Sequence, residues 1–74
     1  MMLRTYGIIV VKKGHYYEAH PSVLRAGIFV VKNMNHKAKT VEIQNVKNGQ
    51  HCWTKISNIY REITEEELML ELLE

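Results

Sequence analysis

Seventy-four residues with 46% hydrophobic content make one domain with a small core, since a chain of this size buries only roughly 60% of its unfolded surface. Cys52 is the only cysteine, which excludes an intrachain disulfide and fits a reducing compartment. The formal charge of +2 hides a division: residues 1–61 hold all ten Lys and Arg against Glu18 and Glu42, a formal +8, whereas residues 62–74 hold six glutamates and no cation. A basic body of this kind gathers polyanions.

The chain opens with a predicted strand, Leu3 to Lys12. Tyr6, Ile8 and Val10 share one face and Gly7, Ile9 and Val11 the other, so this strand is expected to be covered on both sides. Its apolar run Ile8-Ile9-Val10-Val11 is too short for a signal peptide's hydrophobic region or a membrane span. A soluble protein of the cytoplasm is expected, in its own cell or in a host cell, with no membrane partner. Lys13 to Ala26 reads as one long connection, and its Val23-Leu24 is placed to fold back on the core.

A second strand is predicted over Gly27 to Met34, with Ile28 and Val30 opposite Phe29 and Val31. A third covers Lys39 to Lys47, with Val41 and Ile43 on one face and Glu42 and Gln44 on the other. Asn48-Gly49 suits a two-residue type I′ hairpin, because both central residues of that turn need positive φ. That loop sets Glu42 opposite Lys55, Gln44 opposite Trp53, Val46 opposite His51 and Val41 opposite Ile56. A short Ser57-Asn58 turn then leads into an extended Ile59–Ile63 segment.

The tail reads as a helix. Thr64 and Glu67 have capping-box spacing, and Ile63 with Leu68 has the spacing of a hydrophobic staple. Glu65, Glu66 and Glu67 complement the positive end of the helix dipole. Leu68, Met69, Leu72 and Leu73 form an apolar stripe. A helix of about ten residues needs docking to persist in water. The stripe is therefore expected to be buried, most economically over Trp53 or else on a partner.

The predicted architecture is mainly β, a five-stranded antiparallel small barrel over residues 1–63 with an acidic helix over 64–74. A long loop, tightly linked strands, and the ending Asn58-Ile59-Tyr60-Arg61-Glu62-Ile63-Thr64-Glu65-Glu66-Glu67-Leu68 resemble the Src-homology-3-like barrels. The likeness is greatest to KOW-type versions and to short phage or bacterial accessory proteins. The resemblance implies a binding module, and the phage examples imply action on a host protein.

Nothing in the sequence favours catalysis. His51 and Cys52 are adjacent on a strand, so their side chains point to opposite faces. Cys52 then shares the face of Ile43 and reads as a small core residue. His15, His20, His36 and His51 lack zinc-site spacing. No metal, cofactor or catalytic residue is expected.

The expected activity is binding to nucleic acid or to a nucleic-acid-bound complex. Lys12, Lys13, Lys32, Lys37 and Lys39 fall at strand ends, where a small barrel gathers cations at its rim. Trp53, Tyr16 and Tyr17 are candidates for stacking on bases. A plainer reading stands beside it: the lysines block edge pairing, Trp53 lies under the helix, and the tyrosines pack on the core. In a second functional reading, Leu68, Met69, Leu72 and Leu73 dock into a hydrophobic groove of a partner protein, a host protein being what the phage resemblance implies. A third has them form a homodimer.

Overall fold

The computed structural model describes residues 10–73. Five strands form one sheet, β1 (Tyr16–Ala19), β2 (Gly27–Asn35), β3 (Thr40–Asn45), β4 (His51–Lys55) and β5 (Ile59–Glu62), and a helix, α1 (Glu65–Leu73), follows. The order is β4-β3-β2-β1-β5 and every neighbouring pair is antiparallel. The predicted strand Leu3–Lys12 lies largely outside the described residues, and its last residues, Val10 to Lys12, are not strand. The first described strand instead falls inside the expected connection, at Tyr16–Ala19.

The sheet is curled but not closed. β4 and β5 are its two edges and do not pair with each other. In a flat five-stranded sheet those edges would stand about 19 Å apart. A single 3₁₀ turn, Ile56–Asn58, joins them, and the four backbone steps from Lys55 to Ile59 span at most about 14 Å. The sheet therefore bends around its concave face, with the edges drawn together at this turn. Asn58 fixes the corner, donating from Nδ2 to Thr54 Oγ1 at 2.6 Å and accepting His20 N–H at 3.0 Å. The expected five antiparallel strands and C-terminal helix are thus present, and among the described residues the sheet is curled but not closed.

The concave face holds the core: Tyr17, Ala19, Phe29, Val31, Val41, Ile43 and Ile59, with Val11, Leu24, Met34, Cys52 and Ile56 packed against it. Strand alternation supplies most of this set, as read from Phe29/Val31 and Val41/Ile43. One irregularity completes it. Val31 pairs with Ile43 and Asn33 with Glu42, so Lys32 is an extra residue in β2. That bulge moves the inward set from odd to even positions and turns Met34 to the core.

The β3–β4 connection corrects the expected hairpin. Asn45 N–H donates to the Gln50 carbonyl at 2.7 Å and Gly49 N–H to the Asn45 carbonyl at 3.0 Å, which makes 46–49 the loop. Asn45 Oδ1 accepts the N–H groups of Lys47 and Asn48 at 2.8 and 3.1 Å. Gly49 has φ of +78° but Asn48 does not have positive φ, so a type I′ turn is ruled out. The side chain of Asn45 organises the loop two residues earlier than expected. Val41 now faces Thr54, Glu42 faces Trp53 and Thr40 faces Lys55. A shift of two leaves every side chain on its expected face.

Candidate nucleic-acid interface

The convex face of β2, β3 and β4 carries Trp53, with Lys32 on the same sheet and Lys37 and Lys39 in the turn at one end of it. Across it, Val30, Gln44 and His51 form one row, Asn33, Glu42 and Trp53 the next, and Asn35, Thr40 and Lys55 the third. Trp53 is half exposed, at 50%. Lys13 joins this face because the turn before β1 is tied to β2: Gly14 N–H donates to the Val31 carbonyl at 2.8 Å, and Val31 N–H donates to the His15 carbonyl at 3.1 Å. The positive φ of Gly14, +85°, allows that turn. Lys13 and Lys32 consequently line one hollow with Gly14, Val30 and Val31. Lys32 also borders the next hollow, with Asn33, Glu42, Gln44 and His51. The bulge places Lys32 between the two.

Lys12 is exposed in the same turn as Lys13. Lys37 and Lys39 occupy the β2–β3 turn, at the end of the sheet where Thr40 pairs with Lys55. Asn35 Oδ1 accepts Ala38 N–H at 3.0 Å within that turn, and Lys39 adopts a left-handed φ of +58°. Lys55 was not among the expected site residues, because the two-residue hairpin paired it with Glu42. Its position opposite Thr40 and beside Trp53 adds it to the face. Only the identity of the turn hid it.

The cations divide into engaged and unengaged ones. Among the described residues, Lys12, Lys13, Lys32, Lys37, Lys39 and Lys55 form no ion pair, nor does Arg25 in the β1–β2 connection, whereas Lys47 and Arg61 are engaged by glutamates. Glu42 is the one carboxylate of the second row. It accepts Asn33 Nδ2 at 2.7 Å and stands 3.3 Å from His51 Nδ1.

Two aromatic expectations separate here. Tyr17 is fully buried, so it is no stacking residue. Its hydroxyl accepts Lys12 N–H at 2.8 Å and donates to the Val10 carbonyl at 3.2 Å. Burial pushes its pKa up. Tyr16, its strand neighbour, points the other way and is half buried opposite Val30. Three strand spacings of about 4.8 Å separate the Tyr16 row position from β4, so Tyr16 and Trp53 are not adjacent platforms.

The helix does not cover Trp53. Thr64 and Glu67 form the expected capping box, with Thr64 N–H donating to Glu67 Oε1 at 3.1 Å and Glu67 N–H donating to Thr64 Oγ1 at 3.2 Å. From that start α1 borders the opposite part of the sheet, sharing a groove with Glu18, Gly27, Ile28 and Arg61. Leu68 is half buried, but Met69, Leu72 and Leu73 are exposed. The expected burial of the stripe over Trp53 is overturned, because acid–base contacts orient the helix instead.

No catalytic arrangement forms from His51 and Cys52, which face opposite sides of β4, and burial pushes the Cys52 thiol pKa up. Among the described residues no three metal-ligating side chains converge, and no helix is long and apolar enough to cross a membrane. The sequence matches no protein-family model and no curated protein.

Proposed function

We propose that this chain is a non-enzymatic binding module of the cytoplasm, a small accessory or regulatory factor that engages nucleic acid or a nucleic-acid-bound complex through the convex face of β2–β4. The observation that carries this reading is Trp53, a half-exposed indole on an open sheet beside Lys55, on a face whose lysines form no ion pair among the described residues. Lysine contacts to phosphates supply affinity without sequence preference, and an indole stacks on any base. The strand order β4-β3-β2-β1-β5 and the 3₁₀ turn between the last two strands support the Src-homology-3-like resemblance, which belongs to the proposal.

Fluorescence anisotropy with labelled single strands and duplexes of DNA and RNA at low salt tests it. Binding should weaken steeply as salt rises, and Lys37→Glu with Lys39→Glu should weaken it about uniformly across sequences. No binding to any of these probes at low salt overturns the reading.

A further inference from the structure

α1 is attached to the sheet by its charged side. Glu67 Oε2 lies 2.9 Å from Arg61 Nη1, and Glu71 Oε2 lies 3.6 Å from Lys47 Nζ. With Leu68 these are the helix residues that are half buried. Outward point Met69, Leu72 and Leu73, at 63, 51 and 80% exposure, whereas Leu70, 65% exposed, borders the groove with Gly27 and Ile28. A surface helix ordinarily does the reverse and buries its apolar stripe. A cluster of exposed large apolar side chains on so short a helix marks an interaction surface.

We infer that this face is a docking ridge for a second protein, one that supplies an apolar groove with a cationic rim. Met69, Leu72 and Leu73 have the i, i+3, i+4 spacing of helix-in-groove anchors. Charge fixes the chemistry of the groove. Glu65 and Glu66 are exposed beside the anchors, and no Lys or Arg occurs in residues 62–74 to offset them. A groove rimmed by lysine or arginine is therefore complementary, and an acidic rim is repelled.

Two other occupants fit less well. Burying a Leu or Met side chain removes on the order of 100 Å² of apolar surface. That area is the same against any occupant, so charge decides: two such helices laid face to face would bring glutamates of the same sign together. Anionic headgroups repel an acidic helix. The inference is independent of the nucleic-acid reading, since the ridge and the lysine face are different surfaces.

The test is site-specific photocrosslinking with the full chain in its native cell, carrying Leu73→benzoylphenylalanine, before and after nuclease treatment. The expected result is an adduct that survives nuclease and maps to an apolar segment of another protein flanked by Lys or Arg. Glu65→Lys with Glu66→Lys should reduce its yield at least about tenfold. Met69→Asp with Leu72→Asp should abolish it while leaving the amide spectrum of the sheet unchanged. An adduct to a second copy, to lipid or to an acid-rimmed segment overturns the proposal, as does the absence of any adduct. Loss of the adduct on nuclease treatment also overturns it, because contact would then run through nucleic acid.

Discussion

Arg61 and Glu67 meet at 2.9 Å across the junction between β5 and α1, and this contact sets which side of the helix faces the sheet. The same guanidinium reaches Glu18 of β1 at 2.9 Å. One side chain thus joins the second-to-last strand position of the fold, its neighbouring strand and the helix.

Acidification should loosen the helix through Glu67. Its carboxyl pKa is lowered, first by the Thr64 N–H that donates to it and then by Arg61. A depressed carboxylate stabilises the fold fully above its unfolded pKa, and that contribution is lost as pH falls through the lower folded value. A carbon-detected NMR titration should place the Glu67 midpoint below the ordinary glutamate value of about 4.3. A midpoint at or above that value would remove the cap and the ion pair as anchors of α1.

Lys39→Gly should separate charge from fold. A non-glycine residue in the left-handed region costs roughly 1 kcal/mol, and Lys39 sits there with φ of +58°. The variant should gain up to about 1 kcal/mol in thermal or urea unfolding while binding nucleic acid more weakly. A loss of stability would mean that the lysine stem packs in a way its exposure hides.

Trp53→Ala and Lys55→Glu should each weaken nucleic-acid binding with little effect on stability, because both side chains are exposed. Stacking is worth about 1–3 kcal/mol per base. Removing one phosphate contact should lower the salt slope by about 0.7 for a single strand. If Trp53 fluorescence does not change on titration with oligonucleotide, stacking by Trp53 is ruled out.

Deleting residues 64–74 should leave Trp53 emission where it is, since the helix lies over Glu18, Ile28 and Arg61 and not over β4. The same deletion frees Lys47 and Arg61 from Glu71 and Glu67, so affinity for polyanions should rise. A red shift of several nanometres would place α1 against Trp53.

Cys52 should resist thiol reagents at neutral pH. Its side chain faces Ile43 and burial raises its pKa, which keeps the reactive thiolate scarce. Rapid stoichiometric labelling of the native protein by a chromogenic disulfide would contradict this placement.

Periodicity made the inner face of β2 and β3 legible, because an alternating pattern read from Phe29/Val31 and Val41/Ile43 depends only on parity. The helix start was legible too: Thr64 and Glu67 need each other across three positions and nothing else. The strand Tyr16–Ala19 was not, for it has four residues with Glu18 among them and carries no apolar run. The hairpin register failed because a local Asn-Gly signal was outweighed by Asn45, whose side chain satisfies two loop N–H groups. The facing of α1 failed for a different reason. Apolar patterning says which side a helix would bury, but Arg61 and Lys47 come from distant parts of the chain and bind its other side.

The sheet order also divides the molecule in time. Asn33 and Glu42 lie 9 positions apart, so the β2–β3 pairing closes a short loop, whereas Glu18 and Arg61 lie 43 apart. Loop closure must be met before distant contacts stabilise anything, which favours early pairing of β2, β3 and β4 and late arrival of β5. The strand that arrives last leads directly into the helix. The lysine face therefore forms with the local pairings, and the apolar ridge follows the strand whose partners are most distant in sequence.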